Sequence, residues 1–329
     1  MPDPAKPRRT LVVSAVLVLL VAAVVVYVTT RPDGEPVAET APSSLVSIPA
    51  SPPSSTAKPA PLDPAGYQKL LTGIGTAITP AVQQLEQATT PTAVRDAGAN
   101  LGTVVGKAVE QLSAATPPDA MHSAHRSLIA DLTGLYNSSI PKIVNGATEN
   151  KLCGGSSATA ALSRDLGVAG LRDTLSKLTS PYHLGPLFPD ARPDPNRGAA
   201  NGAVILGAGG GKNTVSVDNR SGTDQAVTLA DGLHPVFTVY VKAGATASAS
   251  GIADGIYTAF STGGTDWDAG NGRFTRDCSF SKFSQSASMK DNGYTHTNLD
   301  LTVHKIDPSE LPSGPFPPQA AIEPAEYPR

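Results

Sequence analysis

The residues best equipped for chemistry lie at positions 262–283, in the stretch TGGTDWDAGNGRFTRDCSFSKF. Trp267, the one tryptophan of the chain, stands there directly between Asp266 and Asp268. An indole ring can stack on a sugar, and carboxylates can accept hydroxyl hydrogen bonds or help to hold a cation. We therefore take Asp266, Trp267, Asp268 and Arg276 as the candidate ligand-binding residues.

Two other interpretations of this stretch stay open from the sequence alone. In one, it is a loop between strands, and Trp267 packs into a small β core, as a single large aromatic residue usually does. In the other, Asp266 and Asp268 are the working carboxylates of a hydrolase that cleaves wall glycans or peptides. A rigid, solvent-facing carboxylate pair in a cleft would favour the hydrolase. A buried Trp267, with both acids bonded to backbone, would favour the loop.

The glycine-rich run at 207–212 lacks the residues that a nucleotide-binding loop needs. A dinucleotide fingerprint that starts at Gly207 requires glycine where Lys212 stands. A Walker loop requires glycine in place of Leu206 and serine or threonine in place of Asn213. Both motifs also require a following helix, whereas the pattern from position 213 predicts a strand. A flexible linker is the better interpretation.

Two further patterns lack the partners that their chemistry needs. His122 and His125 are spaced to share one face of a helix, but no HExxH motif or cysteine pair accompanies them. The pattern S-x-x-K occurs at 139–142 and 279–282 without the S-D-N and K-T-G elements of the penicillin-binding enzymes. The sequence therefore predicts no catalytic residue, no metal ligand and no cofactor.

The region 213–306 resembles a recurrent C-terminal domain of uncharacterised exported or membrane-anchored bacterial envelope proteins of an actinobacterial type. Those domains carry the patterns G-x-Y, T-G-x-D-W-D, F-T-R and F-x-K-F, in this order. The residues that fit are Gly255, Tyr257, Thr262, Gly263, Asp266, Trp267, Asp268, Phe274, Thr275, Arg276, Phe280, Lys282 and Phe283, with Gly264 as one extra residue before Thr265. The resemblance implies an envelope protein, and no activity comes with it.

A membrane anchor is predicted near the N-terminus. The run 11–28 has no charged side chain, and at about 1.5 Å rise per residue it is just long enough to cross a hydrocarbon core of about 30 Å. Lys6, Arg8 and Arg9 precede it, so residues 1–10 are expected in the cytoplasm and the rest of the chain outside the cell membrane. The alternative is a cleaved secretory signal, which also exports the remainder.

Composition and hydrophobic periodicity predict two folded domains joined by proline-rich segments. The expected order is a disordered stalk at 29–64, an antiparallel α-helical bundle at 65–180, a linker at 181–212, an antiparallel β-sandwich at 213–306 and a disordered tail at 307–329. The fold class is therefore multidomain α + β. The net charge of −3 over 329 residues offers no concentrated basic patch for nucleic acid.

The two cysteines, Cys153 and Cys278, fall in the two predicted domains. In an oxidising compartment they favour one disulfide, and two buried thiols are the alternative. Together these features predict a single-pass envelope protein with a non-catalytic binding or scaffolding role. Its partners would be envelope polysaccharide or protein. The cell-wall hydrolase that uses the Asp266 and Asp268 region is the alternative.

Overall fold

A computed structural model describes residues 60–207, 210–305 and 319–328 of the chain. The predicted cytoplasmic segment 1–10, the predicted membrane helix 11–28 and most of the predicted stalk lie outside these residues. Within the part of the chain that is described, no helix is both long and apolar enough to span a bilayer. The described residues contain helices followed by predominantly antiparallel sheets, which confirms the predicted mixed α + β class.

The helical domain comes first in the chain. Its helices are α1 (Pro64–Glu86), α2 (Pro91–Ala114), α3 (His122–Gly134), α4 (Ile140–Thr148), α5 (Gly155–Ser163) and α6 (Leu166–Ser176). Two starts follow the expected capping chemistry: Asp63 accepts a hydrogen bond from Gly66 N at 2.6 Å, and Thr90 accepts one from Ala93 N at 3.1 Å. In both, proline occupies the first helical position, where no backbone donor is needed.

The helical periodicity within 65–180 predicts four helices, and the structure differs from that prediction at two boundaries. The third predicted helix continues from α3 through a π-helical turn, Leu135–Ser139, into α4, and Pro141 lies in the first turn of α4. Proline is tolerated in a first helical turn because the N–H groups of that turn have no acceptor within the helix. The last predicted helix is two helices, since Asp165 caps α6 through Gly167 N at 2.9 Å. The aliphatic side chains of the bundle share one buried core.

The β domain consists of two sheets. Its strands are β1 (Val204–Leu206), β2 (Asn213–Arg220), β3 (Asp224–Asp231), β4 (His234–Val241), β5 (Thr246–Ile252), β6 (Gly255–Asp268), β7 (Arg273–Met289), β8 (Asn298–His304) and β9 (Gln319–Ala321). One sheet has the order β1-β4-β3-β6-β7-β9, and the other has the order β5-β2-β8. Buried side chains from both sheets, among them Val217, Phe237 and Val303, form one core cluster. The two sheets therefore face each other across a shared core.

One strand pair departs from the antiparallel prediction. β2 and β8 run parallel, with Val215 opposite Leu299 and Val217 opposite Leu301. A parallel pair needs a long connection between its strands, and here β3 to β7 supply it. Alternation of apolar and polar residues marks a strand but carries no information on direction, so the sequence pattern could not show this.

Two segments that were expected to lack regular structure contain packed or paired residues in the parts that the structure describes. In the predicted linker 181–212, Tyr182, Leu184, Leu187 and Phe188 are buried against the helical core, and β1 joins the larger sheet. In the predicted disordered tail, β9 pairs with β7. Both predictions rested on proline content and the absence of a period. An extended chain can nevertheless bury a few well-placed apolar side chains without any helical or strand periodicity.

Candidate functional site

Asp266 is buried in β6 and all its hydrogen bonds come from within the chain. Its Oδ1 accepts from the backbone N and from Nε of Arg197, both at 2.8 Å. Its Oδ2 accepts from Nη2 of Arg197 at 2.7 Å and from the Thr275 hydroxyl at 2.5 Å. Asp266 has φ of +64°, a left-handed conformation that aspartate tolerates better than most residues. The carboxylate is therefore engaged inside the fold and is not presented to a ligand.

The environment of Asp266 keeps its carboxylate ionised. Burial alone would raise its pKa, but hydrogen bonds from Arg197 and Thr275, together with the guanidinium charge, outweigh burial and lower the pKa below its ordinary value. The same contacts raise the pKa of Arg197, chiefly through its hydrogen bonds to Asp266. A general acid needs the opposite shift, because it must hold a proton near neutral pH. Asp266 is therefore poorly suited to that role.

Trp267 is buried in the core and does not present an exposed ring face to solvent. Only 3% of the residue is exposed, and its ring contacts those of Tyr240 and Phe274, with centroids 5.6 and 5.0 Å away. Its backbone N donates to Arg197 O at 2.9 Å. Its indole Nε1 is buried without a hydrogen-bond partner among the described residues. This agrees with the interpretation that Trp267 packs into the β core, but the stretch 262–283 is not a loop: it consists of the end of β6, a short turn and the first part of β7.

Asp268 and Arg276 also bind neighbouring parts of the chain. Asp268 accepts hydrogen bonds from Gly270 N at 3.0 Å and from the Asn271 side chain at 3.1 Å, which fixes the turn between β6 and β7. Arg276 donates to Pro195 O at 3.0 Å and lies 3.4 Å from a carboxylate oxygen of Asp194. The structure thus brings all four candidate residues together, but as ties between β6, β7 and the segment that precedes β1.

The same region joins the two domains. Cys153 and Cys278 form a disulfide, with their Cα atoms 6.4 Å apart, so the pairing favoured by the sequence is present. Thr275, which binds Asp266, also exchanges a hydrogen bond of 2.5 Å with Ser157 of α5 and accepts one of 2.7 Å from Cys153 N. We call residues 153–157, 194–197, 266–268 and 274–278 the domain junction. It is held by the Cys153–Cys278 disulfide, the Arg197–Asp266 ion pair and the hydrogen bonds of the Thr275 hydroxyl with Ser157 and Asp266.

A cavity of about 360 Å³ lies beside the junction. Its walls come from the start of α2, from β1, from the outer face of the larger sheet and from the C-terminal residues 324–328. Most lining side chains are apolar or small, among them Pro91, Ile205, Leu206, Pro235, Trp267, Phe274, Phe280, Pro324, Tyr327 and Pro328. The polar lining comprises Thr228, Thr238, Thr262, Asn271 and Arg273, with Thr89 and Thr90. Volume and lining fall within the usual range of small-ligand sites.

Sequence reasoning missed Arg197, Leu206 and Tyr327 as members of this site. Arg197 and Tyr327 stand in proline-rich segments, where no periodicity singles them out, although Tyr327 is a conspicuous aromatic residue in a tail otherwise rich in proline. Within the described ranges, no group of three or more His, Cys, Asp or Glu side chains could hold a metal ion.

The chain matches no protein-family model, no curated protein and no solved structure. Function is therefore inferred from the geometry of the site itself.

Fluorescence of Trp267 should report the buried environment directly, because it is the only tryptophan. We expect blue-shifted emission that acrylamide quenches poorly in the folded chain. Red emission with easy quenching would contradict the core position.

The stability of Trp267→Phe tests the same position in a second way. The change removes a buried indole N–H that has no hydrogen-bond partner among the described residues, which stabilises the fold, but it leaves a small void, which destabilises it. We expect these effects to offset each other within about 1 kcal/mol of unfolding free energy, measured by chemical denaturation.

Proposed function

We propose that the chain is an extracytoplasmic envelope protein, anchored by the segment 11–28, with a non-catalytic binding role. The cavity beside the domain junction is its binding site. The observation that carries this proposal is the apolar cavity itself, walled by both domains and fixed by the disulfide and the Asp266–Arg197 pair. A disulfide between two buried cysteines supports export, since such bonds persist mainly in oxidising compartments.

The cavity lining supports a small, largely apolar ligand or an apolar group carried by an envelope component. A few threonine hydroxyls and one arginine could orient it, as isolated polar groups do in other apolar sites. An uncovered polysaccharide groove would need more exposed hydrogen-bonding groups than this lining offers. The alternative of a wall hydrolase has less support, because the Asp266 carboxylate is saturated by Arg197 and Thr275 and its pKa is lowered.

The test uses anilinonaphthalene sulfonate, a fluorescent apolar probe, in the full-length chain. We expect saturable binding to one site, with energy transfer from Trp267. Leu206→Asp places a charge at the cavity wall and should weaken binding about tenfold or more, because the bound probe would strip water from an unpaired carboxylate and its sulfonate would be repelled by it.

Val204→Asp is the matched control for this test. Val204 lies on the same strand and is equally exposed, 41% for both residues, but it does not line the cavity. It should leave the binding of the probe unchanged. Non-saturable binding, or equal loss in both variants, would contradict the assignment of the cavity as the binding site.

A further inference from the structure

The residues 319–328, which we call the C-terminal segment, lie in a groove on the larger sheet. β9 adds to the edge of β7, with Lys282 opposite Ala320 and Phe283 opposite Gln319. Just beyond β9, Ile322 N donates to Phe280 O at 3.1 Å. The Gln319 side-chain amide donates to the hydroxyls of two serines, Ser261 at 2.8 Å and Ser281 at 2.5 Å. The segment is thus held by main-chain pairing and by one specific side-chain contact at its start.

The other end of the segment is held by Tyr327, which fills a slot formed by Phe260, Phe280 and Thr228. The Tyr327 ring packs edge-on against Phe260 and Phe280, with centroids 6.2 and 5.8 Å away. Its hydroxyl exchanges a hydrogen bond of 2.8 Å with Thr228, which in turn bonds Thr238 at 2.9 Å. Burial raises the pKa of Tyr327 to about 12, so the phenol stays protonated and able to donate.

These contacts are of the kinds that also hold an extended peptide at a sheet edge. Recognition of an extended peptide at a sheet edge combines main-chain hydrogen bonds, which give affinity, with side-chain pockets, which give specificity. Here the pairing strand has only three residues, and one tyrosine fills the pocket. Pro324, Tyr327 and Pro328 also line the cavity beside Trp267, so the groove and the cavity are continuous.

We propose that this groove is a peptide-binding site and that the C-terminal segment occupies it in cis. An extended peptide of the same chemistry, a short strand followed by a Tyr-Pro pair, then competes for it when another chain supplies the peptide. This inference rests on the proposed non-catalytic binding role and names the ligand of the groove that adjoins the cavity. A tethered segment is present at an effective concentration of order millimolar, so the cis contact keeps the site closed to weak competitors.

The test measures binding of a fluorescein-labelled synthetic peptide with the sequence of residues 319–329, QAAIEPAEYPR. A chain that ends at Pro318 should bind it at least about a hundredfold more tightly than the full-length chain, because the tethered competitor is gone. A peptide with Tyr327→Ala should bind the truncated chain at least tenfold more weakly. A peptide with Ala325→Ser, altered at an exposed position, should bind like the parent peptide.

A second variant keeps the test decisive if the truncated chain is unstable. Tyr327→Ala in the full-length chain empties the slot while the rest of the segment remains. Because its own segment then competes less well, this variant should bind the added peptide more tightly than the unaltered chain does. A full-length dimer that the peptide dissociates would support the proposal and identify a second copy as the source of the peptide.

Two results would overturn the inference. One is a folded, disulfide-bonded truncated chain that fails to bind the peptide. The other is a full-length chain that binds the peptide as tightly as the truncated one. Either result, with saturable probe binding still sensitive to Leu206→Asp, would remove the peptide site alone and leave the proposed function standing.

Discussion

Loss of the Cys153–Cys278 disulfide should lower the free energy of unfolding by about 5 kcal/mol in the loop-closure model. The bond closes a loop of 125 residues, and opening it gives the unfolded chain much more conformational freedom. The double variant Cys153→Ala/Cys278→Ala tests this by chemical denaturation. Reduction of the unaltered chain by dithiothreitol is the matched control and should give a similar loss. An unchanged denaturation midpoint in both would refute the expectation.

The same cysteines test export in living cells. Alkylation of free thiols before lysis should leave Cys153 and Cys278 unmodified, and a non-reduced digest should contain one cross-linked peptide pair. Complete alkylation of both would place them in a reducing compartment and would contradict the proposed extracytoplasmic location.

Asp266→Ala should cost about 3–5 kcal/mol of unfolding free energy, because the Asp266 carboxylate is buried and its removal leaves buried donors without an acceptor. The change removes the acceptor from the Arg197 backbone and side chain and from the Thr275 hydroxyl, and it puts alanine at a φ of +64°. Asp266→Asn tolerates this conformation and retains one acceptor, so we expect a smaller loss of about 1–3 kcal/mol. Asp300→Ala, at an exposed strand position, should stay within about 0.5 kcal/mol of the unaltered chain.

The contribution of Asp266 should also depend on pH in a defined direction. Its folded-state pKa lies below the ordinary value of 3.8, so the contribution is complete above about pH 4 and is lost as the pH falls through the folded-state pKa. The difference in stability between the unaltered chain and Asp266→Asn should therefore shrink between pH 7 and strongly acidic pH. A constant difference over this range would show that the charge of Asp266 contributes nothing.

Local chemistry was the part of the fold that the sequence could predict. Thr90 and Pro91 start α2 because a capping hydroxyl and a residue without a donor suit the first turn wherever they occur. The same holds for the alternating residues of β2, whose inward side chains include Val215 and Val217. The interpretation of Trp267 as core was also within reach, since one large ring in a small β domain is rarely left exposed.

Long-range contacts were not predictable, for a physical reason. Arg197 meets Asp266 across 69 positions, and neither residue has a local feature that marks the other as its partner. Tyr327 fills its slot after a proline-rich stretch, where composition indicates disorder. Each contact depends on how the strands pair and on which edge a returning segment reaches. A residue pattern that reports only the burial of a face does not contain that information.

The disulfide also determines how the chain would carry mechanical tension. A pull that enters through the helical domain and leaves through β7 passes directly from Cys153 to Cys278, and the chain between them, a sequence separation of 125, is bypassed. This part of the chain includes Leu206 and Trp267, so much of the cavity wall stands outside the load path. When the domains are stretched apart, the disulfide prevents the chain between the two cysteines, with a contour length of roughly 420 Å, from being pulled out.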